Sequence, residues 1–223
     1  MEKMQATIHT LAVGLPKKLD YGNGQSMITA INKQEVHEVY LATHGFEGDD
    51  VADKKHHGGP DRSVCLYPAE HYVQWEKELG KPLPIAAFGE NLTVTNMLEA
   101  DVFIGDIYKI GDAVIQITQG RIPCSTIDRY SEANILLKRL IETGFTGFLA
   151  RVIKEGTIKA ESKIELLERH PACVSVLYCN EVYYQNKDAL AMKRIQAIDA
   201  LAEDWKRKLE KRIQSLQSRE EKR

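Results

Sequence analysis

The chain holds four cysteines, Cys65, Cys124, Cys173 and Cys179, and only one stands in a setting suited to chemistry. Cys124 closes the segment Gln119-Gly120-Arg121-Ile122-Pro123-Cys124. Pro123 has no amide proton and disfavours regular structure before it, which puts Cys124 on a loop leaving a strand that ends at Gln119. Arg121 supplies charge that favours the thiolate, the form that attacks electrophiles and binds metals. The competing local reading is a small packing residue, the commonest role of a free cysteine. Cys65, inside Val64-Cys65-Leu66-Tyr67, fits that role, as do Cys173 and Cys179 among Val174, Val176 and Leu177. Without a CxxC pair, neither a disulfide framework nor a structural zinc site is expected.

A second segment, Lys54-Lys55-His56-His57-Gly58-Gly59-Pro60-Asp61-Arg62-Ser63, has the composition of an anion site. Paired glycines leave backbone amides open to close approach, and the lysines, histidines and arginine supply donors and positive charge. An ordinary polar turn needs the same residues. Zinc fits less well, because adjacent histidines point apart and no HExxH accompanies them. Phe88-Gly89-Glu90-Asn91-Leu92 reads as a turn into a strand, and Gly144 to Val152 as a loop and strand carrying Arg151. Neither a Walker phosphate loop nor a GxGxxG fingerprint is present.

The elements that must position these residues fall in two groups. Short β-like runs fill the first two thirds: Ala6 to Val13, Ile28 to Ile31, His37 to Leu41, Leu92 to Thr95, and a hairpin of Val102 to Ile110 with Ala113 to Gln119 around Gly111. Two helices interrupt them. One runs from Pro68 to Leu79 with Tyr72, Trp75 and Leu79 on one stripe, and one follows an N-cap at Ser131 with Leu136, Leu137, Leu140 and Ile141 inward. Beyond a boundary near His170-Pro171 the periodicity is helical: Val174 to Tyr184, Lys187 to Ile198, and a last helix with Leu201, Trp205, Leu209, Ile213 and Leu216 on one face. The basic residues around that face, Lys206 to Lys208 and Lys211 to Arg212, read as solvated.

The 30 basic and 32 acidic residues of this 223-residue chain nearly balance, so no whole-molecule field marks a nucleic-acid or membrane-surface binder. With no apolar run long enough to cross a bilayer and no signal-peptide pattern, a cytoplasmic protein is expected, monomeric or homodimeric.

Taken in order, the segments Gly45-Phe46-Glu47-Gly48-Asp49, His56 to Arg62, Phe88 to Leu92, the Gly105 to Gly111 hairpin, Arg121-Ile122-Pro123-Cys124 and Phe148 to Gly156 resemble the MOSC domain, the C-terminal module of molybdenum cofactor sulfurases, in its stand-alone YiiM-type form. The resemblance implies a mainly β fold with α, a MOSC-type β-barrel domain with peripheral helices over 1–168 and a three-helix extension over 169–223. It implies a molybdenum cofactor (molybdopterin with Mo), with Cys124 as metal ligand, and reduction of N-hydroxylated compounds such as 6-hydroxylaminopurine. Lys54, His57, Gly58, Gly59, Asp61, Arg62, Phe88, Arg121 and Arg151 are then expected around the cofactor, with Glu90, Asn91 and Gln119 orienting it and His56 as proton donor. Neither flavin, haem nor iron–sulfur signatures occur, and pyridoxal phosphate is not expected, so electrons would come from a separate reductase or flavoprotein. The alternative is a non-catalytic carrier of cofactor or sulfur. Gly120 stands where the family pattern has proline, which implies a looser approach to Cys124.

Overall fold

The computed structural model describes residues 5–22, 24–186 and 188–220. The chain opens with β1 (Thr7–Val13), the hairpin β2 (Lys17–Tyr21) and β3 (Gln25–Thr29), then β4 (Gln34–Glu35), β5 (Glu38–Ala42) and β6 (Gly45–Phe46). The short helix α1 (Lys54–His57) and a 3-10 turn over Pro60–Arg62 lead into β7 (Val64–Pro68), α2 (Glu70–Leu79) and β8 (Leu92–Thr95). The hairpin β9 (Ile107–Ile110) and β10 (Ala113–Gly120) is followed by α3 (Thr126–Tyr130), α4 (Leu136–Thr143), β11 (Phe148–Lys154), β12 (Gly156–Lys159) and β13 (Ile164–Glu168). Three helices close the chain: α5 (Val176–Tyr184), α6 (Ala189–Gln196) and α7 (Glu203–Glu220).

Eight strands form one mixed sheet in the order β13-β9-β10-β11-β7-β8-β1-β4, antiparallel except for β7 with β8. The sheet curls into a half-barrel, and a bridge between Thr7 and Lys163 brings β1 towards the chain that opens β13. β10 is its axis. Ala113, Ile115 and Ile117 alternate into the core, all fully buried, as strand geometry requires of a half-covered sheet. Past Ile117 the register with β11 shifts, and Thr118, Gln119 and Gly120 are all buried as well. The tail covers this end of the strand. Val176, Cys179, Trp205 and Leu209 belong to the same apolar cluster as Ile115 and Ile117, and Ala202 N–H donates to the Thr118 carbonyl at 3.0 Å. Fully burying each large side chain of that face contributes roughly 2 kcal/mol.

The mainly β architecture with a three-helix tail is as expected; several local expectations are corrected. Pro68 ends β7, paired with Val94, and α2 begins at Glu70; proline's fixed φ suits a strand's last residue as well as a helix's first. Ser131 caps the C-terminus of α3, and α4 starts five residues later without a side-chain cap. Only Ile107 to Ile110 of the long expected arm is strand, because the buried Asp106 carboxylate takes the Phe103 and His170 amides at 3.1 Å and holds the preceding stretch as a loop. Cys173 is exposed in a turn at φ 46° instead of packed in a helix. Asn23 and Lys187 lie outside the described residues.

Candidate functional site

β10 delivers the site. Its ladder with β11 ends at Gly120 opposite Phe148, and Arg121 N–H extends it by donating to the Gly147 carbonyl at 3.0 Å. Pro123 then stops the strand, and the Cys124 carbonyl accepts from Ile127 N–H as α3 begins. Cys124 therefore occupies the corner between a strand and a helix start, half-buried. The approach is tight, not loose: a Cβ on Gly120 would come within 2.1 Å of Asn180 Oδ1 on α5. The tail helix, seated where a larger residue would go, is the reason for glycine there.

Around Cys124 lies a cleft of about 800 Å³, lined by residues 28–31, Lys33, parts of 44–65, Gly89, Asn91, Gln119, residues 121–124, Thr126 and Lys208. Burial pushes the Cys124 thiol up, but hydrogen bonds from His57 and from the Thr126 hydroxyl and N–H, with the charge of Arg121, outweigh it and bring the thiol from 9.0 to about 6. The residue is thus a thiolate near neutrality. Cys65, on β7 in the same cleft, goes the other way, burial pushing it up to about 11. The two thiols line one space with opposite chemistry.

The cleft floor rests on a buried polar lattice. Asn91 exchanges backbone and side-chain bonds with Cys65 (Asn91 N–H to the Cys65 carbonyl 2.8 Å, Cys65 N–H to Asn91 Oδ1 3.2 Å) and donates from Nδ2 to Asp49 at 2.9 Å. Asp49 also accepts from Gly14 N–H at 2.7 Å and is ion-paired with Lys33. Both charges are nearly dry, with side-chain exposures of 5% and 13%, so each requires the other. Lys33 is a cleft residue that the sequence does not announce, since its partner lies far along the chain. Thr126 is another, recognisable only once Cys124 is seen to precede a helix start.

Of the expected site residues, the structure gathers Lys54, His57, Gly58, Gly59, Arg62, Asn91, Gln119, Arg121 and Cys124 along the cleft. Lys54 is exposed and pairs with Asp50 at 3.0 Å. His56 lies in α1, and its side chain is outside those described. Phe88 and Glu90 stand behind the wall: Phe88 stacks on Tyr67 with centroids 3.9 Å apart, and the fully buried Glu90 takes the Tyr72 hydroxyl at 2.5 Å and Thr93 Oγ1 at 2.9 Å. They shape Gly89, which does line the cleft. Asp61 and Arg151 face each other at 2.9 Å on the tail side, where Arg151 also donates to the Ala200 carbonyl at 2.9 Å. These two join barrel to tail. Arg121 and Gln119 line the cleft, and Arg121 Nη1 and Gln119 Oε1 are buried with no hydrogen-bond partner among the described residues.

Residues 53–165 match the MOSC domain family and residues 174–216 the YiiM-like, 3-alpha helix domain. The chain is 39% identical to the uncharacterized protein YflK of Bacillus subtilis over 92% of this chain and 94% of that one. It is 34% identical to protein YiiM of Escherichia coli, over 82% and 84%. A protein of Gibberella moniliformis named "Reductase" is 39% identical over 71% of this chain and 29% of its own. The crystal structure of YiiM from Geobacillus stearothermophilus superposes with a TM-score of 0.80 at 35% identity, covering 93% of this chain and 99% of that one. Among the described residues no helix is long and apolar enough to cross a membrane. With a MOSC domain built around the β10 cysteine corner and a YiiM-like three-helix domain closed over its end, the chain belongs to the YiiM-type MOSC family.

Proposed function

We propose that the chain is a molybdenum-cofactor-dependent reductase of N-hydroxylated compounds, such as 6-hydroxylaminopurine, working in the cytoplasm as the terminal component with a separate reductase or flavoprotein as electron donor. The observation that carries this reading is Cys124, a thiolate near neutrality on the wall of a ligand-sized cleft. The MOSC family's association with molybdenum cofactor binding and the name of the fungal relative support it.

The residues fit such a group. Among the described residues no three His, Cys, Asp or Glu side chains converge on a metal site, so Cys124 would be a single soft protein donor to a metal that brings its other ligands with it. The unpartnered Arg121 Nη1 and Gln119 Oε1, one donor and one acceptor, match the polar edges of a pterin, since buried polar atoms cost free energy until paired. Bound there, the cofactor would supply two-electron oxygen-transfer chemistry. The chain's own part is to hold and orient. His57 and Thr126 fix the sulfur lone pairs, Arg62 and the Gly58–Gly59 backbone offer donors to phosphate, and His56 would donate the proton. The overall conversion is R–NHOH with two electrons and two protons to R–NH2 and water.

Protein made in a cofactor-competent host, given reduced viologen dye and 6-hydroxylaminopurine, should form adenine, and Cys124→Ser should not while Cys173→Ser does. Full molybdenum loading without adenine would reject the reductase and leave a cofactor carrier.

A further inference from the structure

One cation in the cleft does not come from the barrel. Lys208, on α7, lines the same space as Cys124, although the basic face of that helix reads as solvated from the sequence. Its Nζ lies 2.5 Å from Asp204 Oδ2, and the guanidinium of Arg62 binds the same oxygen. Arg207 reaches the other oxygen at 3.4 Å. A single carboxylate thus faces three cations, and two of them share one oxygen at the cleft edge.

The turn that carries Arg62 is fixed from both barrel and tail. Asp61 pairs with Arg151 at 2.9 Å and accepts from Glu203 N–H at 3.2 Å, and its carbonyl takes the Thr118 hydroxyl at 2.7 Å. Arg62 keeps only 10% of its side-chain exposure, so the guanidinium is held rather than swinging. Beside it, Gly59 sits at φ 115°, and beyond its chain neighbours no atom of the described residues lies within 4 Å of where a Cβ would stand, leaving that backbone open to approach. Two cationic donors that converge at the cleft edge, next to an open glycine backbone, suit a multiply charged tetrahedral anion.

We infer that the three-helix tail completes the cleft, with Lys208 and Arg62 forming a phosphate subsite at the seam between tail and barrel. The inference rests on the cleft being a ligand site, as proposed above, but not on the ligand carrying molybdenum. The phosphate recognised could belong to a cofactor or to a nucleotide substrate. In either case the tail is part of the binding site.

The test is calorimetric titration of the full-length chain with inorganic pyrophosphate. Binding by the native chain should weaken about tenfold in Lys208→Met, the loss of one charge-assisted contact. It should recover in Lys208→Arg and stay unchanged in Lys211→Met, whose lysine is exposed on the same helix away from the cleft. Matching melting temperatures establish that Lys208→Met is folded. AMP and adenosine separate the two sources: tighter AMP binding that depends on Lys208 marks a nucleotide substrate, and equal binding with molybdenum lost from Lys208→Met marks the cofactor. No pyrophosphate binding by the native chain, or equal binding by Lys208→Met, overturns the subsite. Because this readout needs no molybdenum, a subsite that survives alongside a failed reductase assay rejects only the reductase.

Discussion

Replacing His57 with glutamine tests the thiolate directly, because His57 leads the groups that bring Cys124 from 9.0 down to about 6. At pH 7.5 a thiol of that pKa holds roughly 30 thiolates per thiol, against about 0.03 for an ordinary one. Alkylation of cofactor-free protein by iodoacetamide, followed by mass spectrometry in a Cys173→Ser background because Cys173 is also exposed, should titrate with a midpoint near 6. In His57→Gln the midpoint should rise by about 1 pH unit, with Thr126 and Arg121 retaining the rest. The same shift has a stability signature. An acid whose folded pKa lies below its unfolded value stabilises the fold fully above the unfolded value, and that contribution disappears as pH falls through the folded one. Native protein should therefore gain about 3 kcal/mol from Cys124 between pH 6 and pH 9, a gain missing from Cys124→Ser. An alkylation midpoint above 8, or one that ignores His57→Gln, would refute the electrostatic account.

Other outcomes follow from the packing. Asp49→Ala leaves the Lys33 ammonium buried without its partner and should destabilise by about 3–5 kcal/mol in urea unfolding, whereas the Lys33→Met, Asp49→Leu double variant should recover much of that loss. Gly120→Ala drives a methyl into Asn180 Oδ1 and should cost about 1–3 kcal/mol; combining it with Asn180→Ala should show a coupling of at least about 0.5 kcal/mol in a double-mutant cycle. Arg62→Ala should weaken cofactor retention by about 2 kcal/mol, measured as molybdenum remaining after gel filtration.

How far the sequence reached depended on how local the cause was. Pro123 and Arg121 lie within three residues of Cys124, and the loop, the strand ending beside it and the charge near the sulfur were all readable from that neighbourhood. The α7 stripe was readable for the same reason, since Trp205, Leu209 and Ile213 record a helical period in the chain itself, although Leu201, expected on the same stripe, lies two residues ahead of the helix. The lattice under the cleft was not. Lys33 and Asp49 are unremarkable as sequence neighbours, and they pair because the turn before β4 and the turn after β6 meet in the fold, with Asn91, just ahead of β8, bonded to the same carboxylate. Arg151 and Asp61 carried charge suited to a cofactor, yet each neutralises the other against the tail, and no spacing in the chain reveals that the tail folds back there. Lys208 illustrates the converse: its helical position suggested solvent, and the docking of α7 against the 3-10 turn brings it to the cleft.

Everything in the functional reading depends on Cys124 holding the metal, and elemental analysis tests that most directly. Protein expressed in a cofactor-competent host and purified without added ligand should carry close to stoichiometric molybdenum, and Cys124→Ser should lose it while keeping its fold. Equal molybdenum in the two proteins, or none in the native one, would contradict the assignment.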